Sequence, residues 1–182
     1  LRARTLFTVA TDVAKDPALN SDQLLMLASA SPRRRELLSR VGIECEVRPV
    51  HVDESTAPGE NATDAVLRLA RAKAQAARLR DPGRALLAAD TVVVLDERIL
   101  GKPCDREHAA TMLRALSGRW HEVMSALVLV TAGGDEFSEV ATTKVHFAQL
   151  EQDEIDAYVA GTEPYDKAGA YAVQGLGSFA VA

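Results

Sequence analysis

Apolar residues recur along this chain with two periods, near two in some stretches and near 3.6 in others, and the switches between them mark out the elements. Residues 24–28 are a short apolar run of strand size, followed at once by the polar stretch 29–35. Ser31 suits a helix N-cap and Pro32 its first turn, with Leu37, Leu38 and Val41 as the apolar face and Gly42 where a helix closes. Residues 43–50 alternate as a second strand does. After a turn-rich stretch over 55–61, the spacing of Val66, Leu69, Ala70, Ala76 and Ala77 predicts an amphipathic helix over 62–80. Residues 85–95 are rich in β-branched and apolar side chains and read as a buried strand, and 105–116 reads as a helix running into Ser117 and Gly118. The stretches 121–131 and 137–147 flank Gly133, Gly134 and Asp135 and predict a long antiparallel pair. A short helix over 151–160 is closed by Gly161, and the segment after it holds Gly169, Gly175 and Gly177. Because strands and helices interleave throughout, the expected fold class is α/β, a mixed sheet with helices packed on it. There is no internal repeat and no low-complexity linker.

Composition narrows this little: 182 residues, 47% hydrophobic and 26% charged, make an ordinary globular chain with one domain as the default. No run approaches the roughly 18 apolar residues of a membrane-spanning helix, so no membrane partner is expected and the protein should be soluble. Residues 1–23 read as an appended leader. Arg2 and Arg4 precede a weakly apolar segment, but Asp12, Lys15 and Asp16 interrupt it too early for a signal-peptide core. Cys45 and Cys104 lie far apart with no CxxC spacing, which fits a reducing, cytoplasmic setting. The net charge of −5 excludes a general nucleic-acid binder, since sequence-independent affinity needs a basic surface. A polyanionic ligand must therefore meet a local basic cluster or a metal ion.

Three charged features break the pattern, an arginine run and two single residues. Arg33, Arg34 and Arg35 fill the opening turn of a helix, where the dipole disfavours cations. Together with the hydroxyls of Ser29 and Ser31 and free backbone N–H groups they would make a phosphate cradle, although a solvated basic turn has the same composition. Asp90 sits inside an otherwise apolar strand, where a carboxylate needs a partner or a purpose: binding a divalent cation, accepting a proton from water, or only capping the strand end. Lys73 shares the apolar stripe of its helix with Val66, Leu69 and Ala77, where a lysine ordinarily snorkels to the edge of the core. Lys102 lies between Gly101 and Pro103 in what reads equally as an exposed turn. Asp53 and Glu54 follow the second strand and could hold magnesium through oxygen ligands, although solvated loop acids are far commoner. His51, His108, His121 and His146 show no metal spacing and receive no role.

These pieces coincide with a known family. The stretch LASASPRRRELL over 27–38 resembles the opening signature of the Maf nucleotide pyrophosphatases. HVDE at 51–54, RLARAKA at 68–74, AADTVV at 88–93, LGKP at 100–103 and DKAGAYAVQG at 166–175 resemble the family's later blocks, in family order. The resemblance runs from about residue 24 to the end. It implies a fold similar to inosine triphosphate pyrophosphatases, an elongated mixed sheet with flanking helices and two lobes around a cleft, and hydrolysis between the α and β phosphates. It also implies that Ser29, Arg33, Arg34, Lys73 and Lys102 hold phosphate, while Glu54 and Asp90 serve a divalent cation, Mg2+ or Mn2+, and the attacking water. Arg35 falls on no motif position. The pairs Asp90-Thr91 and Gln174-Gly175 are similar to the branch acting on dTTP and UTP, with modified pyrimidine nucleotides within reach, whereas the branch acting on 7-methyl-GTP has an acid near the Gln174 position. An amide offers uracil or thymine both a donor and an acceptor, and a carboxylate offers acceptors only. Family members continue beyond the last residue here, so the domain over 24–182 is expected to lack its usual C-terminal segment.

The expected catalytic set is thus Asp90, Glu54, Lys73 and Lys102, with Ser29, Arg33, Arg34, Thr91 and Gln174 on the substrate. Asp90 as base and Asp90 as metal ligand stay open, as do monomer and homodimer. The alternative is a non-catalytic nucleotide-binding regulator of septum formation, the role behind the family name. Its partner surface would need an anchor, and aromatic residues are only 4% of the chain. An RNA-binding domain would need basic and aromatic interleaving that is lacking.

Overall fold

The computed structural model describes residues 24–57 and 59–182, and the expected leader over 1–23 lies outside the described residues. Strands and helices alternate as β1 (Leu25–Leu27), α1 (Pro32–Arg40), β2 (Cys45–Val47), α2 (Ala62–Arg80), β3 (Leu86–Leu95), β4 (Arg98–Leu100), α3 (Arg106–Leu116), β5 (Trp120–Val130), β6 (Glu136–His146) and α4 (Gln152–Val159). Three short 3-10 turns follow, at Glu163–Asp166, Ala168–Ala170 and Leu176–Ala180. The strands form one sheet in the order β2-β1-β3-β5-β6, with β4 also on β3. The sheet is mixed, as expected: β1 runs parallel to β2 and β3, pairing Leu25 with Cys45 and Met26 with Leu86, and β4 returns antiparallel to β3 with Val93 opposite Leu100. The short connection between the neighbouring strands β5 and β6 makes them antiparallel, since a parallel pair needs a long crossover.

Local chemistry explains where the elements begin and end. The β3–β4 hairpin turns on Asp96 and Glu97, both left-handed at φ 48° and 65°, the backbone that matches strand twist in a two-residue loop. Asp105 caps α3 by accepting from the His108 N–H at 2.7 Å. At α1, Ser31 stands at the N-cap position without a side-chain capping bond, and its own N–H donates to Ser29 Oγ at 3.3 Å. Gly42 follows α1 at φ +75°, the left-handed closure expected there. The apolar face of α1 is narrower than expected. Leu38 packs with Leu25, Ile43 and Leu129, but successive helical residues point about 100° apart, so Leu37 turns outward and is 49% exposed. Val41, past the helix end, is 50% exposed. Strand β2 is also shorter than the alternation over 43–50 suggested, because Pro49 has no N–H for a ladder. Helix α2 matches its expected bounds and buries Ala65, Val66, Leu69, Ala70, Lys73, Ala74 and Ala77, with Ala74 in the place expected of Ala76.

The chain divides into two compact units. The first takes residues up to Glu60, Asp64–Asp90 and Ala126–Val140, and the second takes Asn61–Thr63, Thr91–Ser125 and Ala141–Ala182. Each buries its own apolar cluster, around Leu25, Ile43 and Leu129 in the first and around Leu113, Leu116, Phe147 and Tyr171 in the second. Strand β3 is divided between them, with Asp90 the last residue of one and Thr91 the first of the other. No helix among the described residues is long and apolar enough to cross a membrane.

Candidate functional site

Only four polar or charged residues among those described are buried outright, Ser29, Lys73, Asp90 and His121, and three of them converge in the first unit. Asp90 comes from β3 with its neighbours Ala88 and Ala89 in the core, so its carboxylate is 7% exposed and needs compensation. Lys73 supplies it. Its position on the inward stripe of α2 brings Nζ to Asp90 Oδ1, in a contact shorter than an ordinary hydrogen bond, and to Glu54 Oε1 at 2.7 Å. The lysine therefore bridges two carboxylates instead of snorkelling to solvent. Glu54 is delivered by the loop after β2, where Asp53 Oδ1 accepts from the Ser55 N–H at 2.9 Å; that bond holds the Asp53 carboxyl below its usual pKa. Of the two neighbouring acids, one shapes the loop and the other reaches the cluster.

The helix-opening arginines behave differently from one another. Arg34 turns inward, and Nη1 donates to Ser29 Oγ at 2.9 Å and to the Ala89 carbonyl at 2.7 Å. Burial pushes its pKa below the ordinary arginine value, opposed by the negative charge of Asp90 and, more weakly, of Glu54. Arg33 is half-buried and its charge adds to the downward push, while Arg35 is exposed. The cluster of Ser29, Arg34, Glu54, Lys73 and Asp90 is thus close to charge-balanced within itself: two carboxylates against one ammonium and one guanidinium.

The other expected site residues belong to the second unit. The Thr91 hydroxyl is 3.0 Å from that of Ser125. Lys102 is exposed in the loop after β4, next to Gly101, whose carbonyl accepts from the Gly169 N–H at 3.0 Å. Gln174 is exposed on a turn closed by the Gly175 N–H donating to the Ala172 carbonyl at 3.2 Å.

Whether these residues fit a divalent cation is decided by the donor set. Among the described residues no three His, Cys, Asp or Glu side chains stand close enough to hold a metal ion by themselves. Magnesium asks for less, commonly one or two carboxylates with the remaining positions filled by phosphate oxygens and water. Glu54 and Asp90, both already on one cationic centre, fit that description. A charge-balanced cluster also cannot by itself neutralise the several negative charges of a triphosphate, which favours an added cation.

Three further contacts were not anticipated from the sequence. The Ala89 carbonyl is backbone and leaves no trace in residue type. His121 received no role, yet it is 4% exposed with Nε2 2.6 Å from the Tyr171 hydroxyl. Glu163 accepts from the N–H groups of Leu176 and Gly177 at 3.0 and 2.9 Å. The glycines at 175 and 177 were the available signal, since alternate glycines commonly mark a close approach of other atoms.

Comparison with known proteins places the chain in a family. The Maf-like protein family matches residues 24–182. The dTTP/UTP pyrophosphatase of Anaeromyxobacter dehalogenans is 53% identical over 156 residues, 84% of this chain and 78% of the relative. That of Myxococcus xanthus is 50% identical over 165 residues, 90% of this chain and 83% of the relative. Among solved structures the chain is similar to a HAM1 protein from Coxiella burnetii, with a TM-score of 0.47 and 16% identity over 69% of this chain and 73% of that one, a likeness that locates no site residue. With a family match that spans every described residue and relatives half identical over more than four fifths of its length, the chain belongs to the Maf family.

Proposed function

We propose that this chain hydrolyses nucleoside triphosphates to the monophosphate and pyrophosphate, with dTTP and UTP as its substrates. The names of relatives about half identical to it support the reaction class and the pyrimidine preference. The observation that carries the reading is the buried Asp90–Lys73 pair, joined from its exposed side by Glu54 and standing beside Arg34 and Ser29, which places a base, cations and a hydroxyl together. In the reaction, water attacks the α-phosphorus, the bond from that phosphorus to the bridging oxygen breaks, and pyrophosphate leaves with the electron pair. Asp90 accepts the water's proton, and Lys73 holds Asp90 and Glu54 in register. Arg33, Arg34, Lys73 and Lys102 oppose the charge that grows on the leaving group. A magnesium or manganese ion held by Asp90 and Glu54 would add electrostatic stabilisation of the phosphate oxygens. Gln174 reads the O4 and N3 edge of uracil or thymine through its amide.

The test is a panel of nucleoside triphosphates with Mg2+, read by separate assays for pyrophosphate and orthophosphate. Pyrophosphate and monophosphate in equal amounts from UTP and dTTP are expected. Orthophosphate with a nucleoside diphosphate would refute the bond assignment, and no product from any nucleotide would refute the enzyme.

A further inference from the structure

The turn that carries Gln174 is held at both ends by side chains with no part in the bond cleavage, all of them within the second unit. Before the turn, Tyr171 is buried and its hydroxyl stands 2.6 Å from His121 Nε2. The imidazole meets the rings of Tyr171 and Phe147 edge-on, at centroid separations of 5.5 and 5.0 Å. Burial disfavours the charged imidazole and raises the pKa of the Tyr171 phenol, so the pair shares one hydrogen bond between neutral groups. The Tyr171 hydroxyl is thus a polar partner that holds the ring.

After the turn, Glu163 grips the backbone. Its Oε2 accepts from the Leu176 N–H at 3.0 Å, and its Oε1 accepts from the Gly177 N–H at 2.9 Å and from the Tyr158 hydroxyl at 2.8 Å. Burial alone would raise the pKa of this carboxyl, yet the three donors hold it below the usual value, so it is ionised and each bond is charge-assisted. The fit has no slack. A Cβ at Gly175 would lie 2.1 Å from Glu163 Oε2, and one at Gly177 would lie 2.9 Å from the backbone N and O of Ala172. Between the two holds stand Ala172, Val173, Gln174 and Gly175, of which Val173 and Gln174 are exposed.

We propose that Glu163 and His121 are positioning residues for nucleobase selection: by fixing both ends of the turn over residues 172–175, they set where the Gln174 amide stands. This rests on the reading of Gln174 as the residue that meets the base. An exposed amide on an unheld loop would adapt to any base edge, whereas discrimination requires a donor and an acceptor at fixed places.

The test uses the full chain with Glu163→Gln, His121→Phe and Gln174→Ala. Glu163→Gln keeps the shape but cannot accept at both ends, and His121→Phe keeps the ring packing but loses the bond to Tyr171. For each, kcat and KM are measured on UTP, dTTP and GTP, with the Ki of inorganic tripolyphosphate as a probe that has no base and the melting temperature as a check of folding. Glu163→Gln and His121→Phe are expected to lower the preference for UTP over GTP about tenfold, mostly through KM, with the tripolyphosphate Ki unchanged within about twofold. A merely structural role would reduce turnover of every nucleotide equally and is the result that overturns the proposal. Gln174→Ala separates the two readings: if it loses selectivity while the other variants keep it, the clamp fails and the base reading stands, and if it keeps selectivity, both fail. Should one clamp variant not fold, the other decides, and hydrogen exchange at the Leu176 and Gly177 amides, expected to quicken in Glu163→Gln, reports the grip directly.

Discussion

Inside an apolar strand, the Asp90 carboxyl group is met by Lys73 Nζ. Asp90→Asn is nearly isosteric and leaves Lys73 its bond to Glu54, so the fold should survive while the base is lost. A fall in kcat of roughly two to four decades is expected, with nucleotide still bound, checked by steady-state kinetics and by titration of a non-hydrolysable triphosphate. Substantial remaining activity would move the base to Glu54. Lys73→Met should be more harmful to stability, on the order of 3 kcal/mol, because it strands the buried Asp90 carboxyl group without its cation, while Glu54 can turn to solvent. If Glu54 and Asp90 are metal ligands, Mg2+ should raise the melting temperature of Lys73→Met more than that of the wild type, and equal shifts would count against them. Asp90 and Lys73 were legible in the sequence because each interrupts an apolar period. Glu54 was set apart from Asp53 by the family resemblance and not by spacing, since two adjacent loop acids look alike until one turns toward Ser55. Glu163 and His121 were invisible because the backbone that Glu163 grips begins 13 residues away and the Tyr171 partner of His121 lies 50 residues away.

At the scale of elements, legibility followed the strength of the period. Helix α2, strand β3 and the β5–β6 pair were readable nearly to their ends, because each presents several turns or alternations of a buried face. Helix α1 and strand β2 are nine and three residues long, and at that length one outward leucine or one proline outweighs the pattern. The glycine-rich stretch over 169–177 could be read as irregular, but not as a segment gripped by a carboxylate. Gly177 in that stretch is intolerant of a side chain, since a Cβ would meet the Tyr158 hydroxyl and the Ala172 backbone, and the backbone cannot yield as a flexible side chain can. Gly177→Ala should cost about 1–3 kcal/mol, a fall of roughly 3–10 °C in melting temperature by calorimetry. Gly101→Ala, where a Cβ meets nothing within 4 Å, is the control expected to melt within about 1 °C of wild type.

For the whole molecule, acid should act in two stages. Burial first, and the charge of His146 to a lesser degree, push the His121 pKa below 6.5, with the Arg119 carbonyl opposing. The stability this group contributes is present above pH 6.5, its unfolded value, and is lost as pH falls through the lower folded one. Glu60, bonded by the Arg68 guanidinium, is held at about 2 against an unfolded 4.5, so its contribution is complete above pH 4.5 and fades toward pH 2. Melting curves against pH should fall in both windows for the wild type, and His121→Phe should lack the first decline. A single decline starting below pH 4.5 in both proteins would mean that His121 titrates normally. If the Asp90–Lys73–Glu54 cluster is the proposed hydrolytic site, water attacks one particular phosphorus of the triphosphate. Hydrolysis of UTP in water enriched in oxygen-18, followed by mass spectrometry of both products, identifies it directly. Attack at the α-phosphorus puts one labelled oxygen in the uridine monophosphate and none in the pyrophosphate, the result expected here, whereas label in the pyrophosphate would place the attack on the β-phosphorus and contradict the account.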